Sequence, residues 1–257
     1  MKNLTVIIPI YNINDESDEK LFKTAISSVD DSNIIVVGPE ADIEKVGKIE
    51  GIEKKYKTMV NSSDNTSYPN QVNMAIKEVK TEYFSVLEYD DFYTPNWFKN
   101  LTKYMDSMVD DIFAFLPLTE ILDHNTENSI IGFANEAVWA SSFSEELGYF
   151  DIQCLEDYFN FNTSGGVFKT EEFIKAGALK ASMELSYWYE FLLRVLYKGK
   201  RIFVIPKTGY IHRVGRENSI TSNYRETMDA REANWWIDLA KKEYFFPQDR
   251  NKKYTQE

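Results

Sequence analysis

The sequence predicts an α/β fold in which a mostly parallel central sheet is flanked by helices. Short runs of β-branched residues alternate with amphipathic stripes through the first half of the chain, which is typical of a parallel sheet covered on both faces. The run Asn33–Gly38 is apolar after its first residue, as expected of a strand buried on both sides. Polar or acidic residues follow the predicted strands, at the sheet edge where such folds bind ligands.

Four strands and four helices account for the first half of the chain. Apolar residues three and four apart predict the helices, and Thr94 with Pro95 is a natural start for the last one. In chain order we predict a strand over Leu4–Ile8, a helix along Leu21, Phe22, Ala25, Ile26 and Val29, a strand over Asn33–Gly38, a helix over Asp42–Ile49, a strand over Lys57–Asn61, a helix along Val72, Ala75, Ile76 and Val79, a strand over Tyr83–Leu87, and a helix that starts at Pro95 and runs through Trp97, Leu101, Tyr104 and Met108.

The second half is less regular. Asp111–Leu122 predicts one long strand or a bent pair, and residues 123–163 lack a clear period, so we expect long loops or short elements there. The remaining predicted elements are a helix capped by Thr170, a helix over Glu184–Lys198 closed by Gly199, a strand over Arg201–Ile205, a loop over Ile211–Ser219, and an aromatic-rich helix from Tyr224 to Phe245.

Composition limits the class of protein. The chain has 257 residues and is 43% hydrophobic, which is enough for one large domain with a sizeable core. A net charge of −12 argues against broad binding to nucleic acid, because such binding neutralises phosphates. No apolar run reaches the roughly 18–20 residues of a membrane-spanning helix. The single Cys154 fits a reducing compartment, so we expect a cytoplasmic protein with no integral membrane segment.

Glu88, Asp90 and Asp91 place three carboxylates within four residues, directly after the fourth predicted strand. Mg²⁺ and Mn²⁺ prefer oxygen ligands and are often held by one or two carboxylates together with substrate phosphates. Acids also commonly precede helices, so Asp90 and Asp91 can instead cap the helix that follows while Glu88 is solvated. The acidic cluster therefore predicts either a metal site or a helix cap.

Four segments follow one another in an informative order. They are VIIPIYN at residues 6–12, the stretch 70–98 with Asn73 and the acidic cluster, SGGVF at 164–168, and YEFLLRVLYKGKRIFVIP at 189–206. Together they resemble the nucleotide-sugar-dependent glycosyltransferases of the GT-A fold, family 2, over roughly residues 3–220. The resemblance implies a GT-A, Rossmann-like domain over residues 1–220. It would have a donor-binding half to about residue 118, an acceptor-side half over 119–220, and a C-terminal helical extension and tail over 221–257.

The resemblance also implies a site for a nucleotide-sugar donor. Glu88 stands where the family's first Asp meets the ribose or nucleotide, and Asn73 stands in the helix before it. Gly165 and Gly166 would let the backbone approach the sugar closely. The family usually reads uracil with an Asp after the second strand, and the acids available here for that role are Glu40 and Asp64. Pro9, Ile10 and Tyr11 would line the nucleotide pocket.

A divalent cation, Mn²⁺ or Mg²⁺, is the implied cofactor. Asp90 would be its main ligand, with Asp91 beside it and His212 as a further ligand, and the cation would bridge the two donor phosphates. Arg213 or Arg216 could pair with those phosphates, because a guanidinium fork suits them. UDP-sugar is the default donor by family frequency.

An inverting transfer needs a base for the acceptor hydroxyl. The family usually supplies a Glu-Asp pair where this chain has Tyr187-Trp188. Glu190 and Glu184 are the remaining candidates, and Glu190 is the favoured one. Glu190 can instead pair with Arg194 at the i, i+4 spacing as a structural contact.

We therefore predict a metal-dependent glycosyltransferase acting on a hydroxyl of a glycan, protein, lipid or modified nucleic-acid base. One alternative is a catalytically inactive module of the same fold. A less favoured one is a nucleotidyltransferase, which normally carries a Gly-rich phosphate loop after its first strand, where this chain is acidic.

Overall fold

A computed structural model describes residues 1–63, 65–108, 111–126, 129–156, 158–159, 161–216, 219 and 227–245. The strands are β1 (Leu4–Pro9), β2 (Asn33–Gly38), β3 (Lys57–Val60), β4 (Tyr83–Val86), β5 (Phe92–Tyr93), β6 (Ile112–Asp123), β7 (Ser129–Ala134), β8 (Val167–Lys169) and β9 (Arg201–Val214). The helices are α1 (Glu16–Ser28), α2 (Glu40–Val46), α3 (Tyr68–Ile76), α4 (Trp97–Ser107), α5 (Thr170–Lys175), α6 (Tyr187–Tyr197) and α7 (Ala230–Lys241).

One sheet runs through the described part of the chain in the order β3-β2-β1-β4-β8-β6-β9-β5, with β7 paired to β6. The first four strands are parallel, and β6 is parallel to β9. Strands β5, β7 and β8 pair in antiparallel fashion. Because β1 lies between β2 and β4, the segments that follow these three strands emerge side by side at one edge of the sheet. The predicted α/β architecture is confirmed.

The core consists of two layers, one on each face of the sheet. Side chains alternate along a strand, so Ile7 of β1 packs with α3, α5 and α6, whereas Val6 and Ile8 pack with α1, α2 and α4. Both layers are apolar and well buried. This explains why β1 and β2 lack the polar alternation of a sheet with one solvated face.

The largest difference from the predicted elements is the length of β9. The sequence predicts a strand over Arg201–Ile205 and a loop from Ile211, but β9 continues to Val214 because its backbone pairs with β6 along most of that length. Backbone pairing outweighs the polar composition of the segment. The two-residue strand β5, which pairs with β9, was also not predicted.

Several helix ends differ from the prediction by a few residues. Thr94 does not cap α4, because its hydroxyl donates to the Thr208 carbonyl at 2.8 Å and the helix starts at Trp97. Thr170 is the first helical residue of α5 rather than its cap. Helix α6 begins at Tyr187, since Ser186 has a left-handed backbone with φ of 62°.

The segment 123–163 is partly ordered into β7 and two short 3₁₀ turns, Glu136–Trp139 and Cys154–Glu156. The last helix covers Ala230–Lys241, whereas the start predicted at Tyr224 lies outside the described residues. Across the helices that the structure describes, none combines the length and the apolar character needed to cross a membrane.

Gly209 of β9 provides a test of the packing between β9 and α4. A Cβ at this position would overlap the ring of the fully buried Trp97. We expect Gly209→Ala to lower the free energy of unfolding by about 1–3 kcal/mol, as overpacked cores do. Gly47→Ala is the matched control, because its Cβ would make ordinary contacts at 3.5 Å and its φ is −64°. Equal urea midpoints for the two variants would contradict this packing.

Candidate functional site

The acidic cluster lies between β4 and β5, at the carboxyl edge of the parallel strands. Its position is fixed by the antiparallel register of β5 with β9, in which Phe92 pairs with Ile211. This register brings Asp91, the residue before β5, beside His212, the residue after Ile211. A site is thus assembled from two segments that are 121 residues apart.

Asp91 is the most enclosed member of the cluster, with no exposed surface. One carboxylate oxygen lies 2.8 Å from His212 Nδ1, and the other accepts a hydrogen bond from the Arg213 backbone N–H at 2.7 Å. Burial by itself would lower the pKa of His212, but the adjacent Asp91 carboxylate raises it to about 10. The two residues therefore form a partly buried ion pair when His212 is protonated, and a metal bound by this imidazole would replace a proton.

Asp90 is also buried, and its contacts lie on the other side of the cluster. Its carboxylate accepts a hydrogen bond from Arg216 Nε at 3.0 Å. Its backbone carbonyl accepts one from Arg213 Nη1 at 2.6 Å, while the Arg213 guanidinium lies over the Phe92 ring. Burial and the neighbouring Asp91 raise the pKa of Asp90, and Arg216 opposes that shift. Neither Asp90 nor Asp91 caps α4, whose N-cap residue is Asn96.

Glu88 lies at the opening of the cluster. Its carboxylate accepts a hydrogen bond from the Ser164 hydroxyl at 2.6 Å, and its backbone N–H donates to the Tyr210 hydroxyl at 3.1 Å. Burial, with a further contribution from Asp91, raises the pKa of Glu88 to about 7. Glu88 is thus held by two other parts of the fold, its side chain by Ser164 and its backbone by Tyr210.

A metal ion fits three of these residues. One potential ligand atom from each of Glu88, Asp91 and His212 lies within 4.8 Å of the other two. Two carboxylates and an imidazole suit a divalent cation such as Mn²⁺. Asp91 and His212 were predicted as ligands, and the third member of the cluster is Glu88. The Asp90 carboxylate faces Arg216 instead of this group. Its assignment as the main metal ligand stays a prediction.

The residues predicted to line the nucleotide pocket follow β1, which is the neighbour of β4 in the sheet. Pro9 and Ile10 are buried at the end of β1, and the half-buried Tyr11 follows. Asp42 of α2 holds the next turn by accepting hydrogen bonds from the N–H groups of residues 12 and 13, at 3.1 and 3.3 Å. Glu40 is exposed at the start of α2, and Asp64 lies outside the described residues.

Three other predicted donor-site residues have clear roles within the fold. Both the amide N and the amide O of Asn73 bond the backbone of Leu179, at 2.7 and 3.0 Å. Gly165 has a φ of 76°, and a Cβ there would overlap the Tyr210 ring. A Cβ on Gly166 would overlap Leu116. Their contacts with a donor stay predictions.

Glu190 is enclosed by polar groups. Its carboxylate lies 2.9 Å from Arg194 Nη2, 3.0 Å from Lys180 Nζ and 2.9 Å from the Tyr244 hydroxyl, and its side chain is only 2% exposed. These contacts tie α6 to the segment before it and to the residues after α7, which supports the structural interpretation of Glu190. Glu184 is exposed ahead of α6.

Sequence reasoning missed two buried carboxylates. Asp42 holds the turn after β1, and Asp18 in the first turn of α1 forms an ion pair with Arg216 at 3.1 Å. Asp18 stands among several acids that look like ordinary N-terminal helix residues, so no local pattern distinguishes it.

A mostly parallel sheet flanked by helices, with a carboxylate and histidine cluster at its carboxyl edge, is consistent with the GT-A fold. The model of the family described as "Glycosyl transferase family 2" matches residues 5–133, half of the chain. The chain therefore belongs to glycosyl transferase family 2. No curated protein sequence matches it.

Solved structures share the fold at low sequence identity. TarS 1–349 of S. aureus in complex with UDP-GlcNAc has a TM-score of 0.65 at 16% identity, covering 93% of this chain and 65% of that one. TarS 1–349 also matches with a TM-score of 0.59 at 16% identity, covering 83% and 60%. The mannosyltransferase PcManGT of Pyrobaculum calidifontis, in complex with GDP-Man and Mn²⁺, has a TM-score of 0.59 at 11% identity, covering 90% and 62%. The chain thus spans under two thirds of these structures.

Because Glu190 is enclosed, we expect its substitution to lower the stability of the fold strongly. Glu190→Gln removes a buried negative charge and leaves Arg194, itself buried, without its ion-pair partner. We expect a loss of about 3 kcal/mol in the free energy of unfolding, measured by urea denaturation. Glu243→Gln is the control, because Glu243 also contacts Lys180 but is 64% exposed. A Glu190→Gln variant as stable as this control would show that the enclosure contributes little.

Proposed function

We propose that the protein transfers a sugar from a nucleotide diphosphate sugar to a hydroxyl acceptor, with a divalent cation and with inversion at the sugar. The observation that carries the proposal is the cluster of Glu88, Asp91 and His212 at the carboxyl edge of the sheet. That edge is where open α/β sheets bind their ligands. UDP-sugar is the default donor, consistent with the UDP-GlcNAc complex of TarS.

The chain's own residues would organise the site around the donor diphosphate. A bound divalent cation would supply Lewis-acid stabilisation of the leaving diphosphate. Asp91 and His212 would hold it together with Glu88. Arg213 and Arg216 lie against the same cluster and offer N–H donors that suit phosphate oxygens.

An inactive module of the same fold is the main alternative, because Tyr187-Trp188 replace the acidic pair that the resemblance implies for the base. The cluster of Glu88, Asp91 and His212 argues for activity. A nucleotidyltransferase is not favoured, since the chain belongs to a glycosyltransferase family.

A binding screen tests the donor and the metal together. We expect UDP or a UDP-sugar to bind with Mn²⁺ present, as measured by isothermal titration calorimetry, and GDP and GDP-Man form the comparison arm. Asp91→Asn should weaken metal-dependent binding by at least about tenfold, because it removes a carboxylate that contacts His212. Asp106→Asn, at an exposed position of α4, is the control. Tight nucleotide binding that ignores both Mn²⁺ and the Asp91 variant would overturn the metal assignment.

The base is tested by comparing the two candidate acids. Since Glu190 is enclosed by cations and the Tyr244 hydroxyl, we expect Glu184→Gln to be the variant that lowers transfer, by about 10²-fold or more, with unchanged donor binding. Turnover is measured with a UDP-sugar and a panel of glycan, protein, lipid and nucleoside hydroxyl acceptors. Glu190→Gln is assayed below its melting temperature. Loss of transfer in folded Glu190→Gln alone would return the base role to Glu190.

A further inference from the structure

Asp18 forms a bridge that joins three separate parts of the site. One of its carboxylate oxygens accepts a hydrogen bond from Arg216 Nη1 at 3.1 Å, and the other accepts one from the Asn14 backbone N–H at 2.8 Å. Arg216 in turn donates from Nε to the Asp90 carboxylate at 3.0 Å. Asp18 and the Arg216 guanidinium therefore connect the turn after β1, the segment after β9 and the acidic cluster.

All three charged groups of this bridge are buried, with 6% exposure for Asp18, 8% for Asp90 and 9% for Arg216. The Arg216 guanidinium also lies over the Tyr89 ring, 5.1 Å from its centroid. A guanidinium held by two carboxylates and an aromatic face has little freedom to rotate. These contacts set the orientation of the guanidinium relative to the Asp90 carboxylate.

We propose that Asp18 is a positioning residue for the donor site, acting through Arg216. Asp18 holds the Arg216 guanidinium against Asp90, so that both groups are oriented for a metal-bound nucleotide diphosphate. Through its bond to the Asn14 N–H, Asp18 also attaches the turn after β1 to Arg216 and Asp90. This inference rests on the proposed function, because it assumes that the acidic cluster receives a diphosphate.

The geometry makes a prediction that a residue stabilising α1 independently of Arg216 would not make. If Asp18 acts through Arg216, its effect on donor binding disappears once Arg216 is gone, because nothing is left for it to position. A residue that only stabilises α1 would weaken binding to the same extent in either background. The double-mutant cycle of Asp18 and Arg216 therefore separates the two roles.

The experiment is calorimetric titration of UDP, with Mn²⁺ present, into the wild type, Asp18→Asn, Arg216→Gln and the double variant. We expect Asp18→Asn to weaken UDP binding by about tenfold, a loss typical of removing a group that orients a ligand-binding residue. In the Arg216→Gln background the same change should add less than about twofold. Asp18→Glu, which keeps the charge, should restore part of the affinity, and in turnover the loss should fall on the donor KM more than on kcat.

Glu16→Gln is the matched control, since Glu16 is an exposed acid in the same turn of α1. UDP affinity in Asp18→Asn equal to that of this control, or losses that multiply fully in the double variant, would overturn the inference while leaving the proposed function intact. A wild type that binds no nucleotide with Mn²⁺ would overturn both. If Asp18→Asn does not fold, as judged by circular dichroism, Asp18→Glu replaces it. Asp18→Glu and Arg216→Lys should then each weaken UDP binding, and their combination should weaken it no more than the stronger single variant.

Discussion

The burial of adjacent carboxylates at the carboxyl edge of the sheet is the constraint on which the rest of the site depends. Asp90 and Asp91 are neighbours in sequence, repel one another, and are both removed from water. Each therefore requires a cation or N–H donors from elsewhere in the chain, and His212, Arg213 and Arg216 supply them. His212 and Arg213 lie in the last three residues of β9, and Arg216 follows the strand. The acidic cluster therefore depends on the path of β9.

Strand β9 satisfies this requirement because it remains extended to Val214. Alternate side chains of a strand share a face, so Tyr210 and His212 both reach the cluster, the first at the Glu88 N–H and the second at Asp91. The Tyr210 ring also occupies space that a side chain at position 165 would fill, which accounts for Gly165 within the fold. A short antiparallel pairing with β5 sets the register of the whole arrangement.

The first half of the fold is readable from sequence because its signals are local. Strands β1, β2 and β4 and helix α1 have periods and caps that do not depend on distant contacts. The extension of β9 is different, because it follows from pairing with β6 and β5, and its own composition is that of a polar loop. Asp18 escaped prediction for the same reason. Its partner Arg216 is 198 residues away, and nothing in the α1 sequence indicates a buried acid.

The buried charges themselves argue for a ligand-binding role. A buried ion pair gains little stability over well-packed apolar residues, because desolvation offsets the Coulombic attraction. A cluster of Asp18, Asp90 and Asp91 held by Arg216 and His212 is therefore an inefficient way to stabilise a fold that already has two apolar layers. Helix capping does not explain it either, because α4 receives no cap from these acids. Charges held in fixed positions suit the proposed ligand, because a metal-bound diphosphate carries the charges that this cluster would orient.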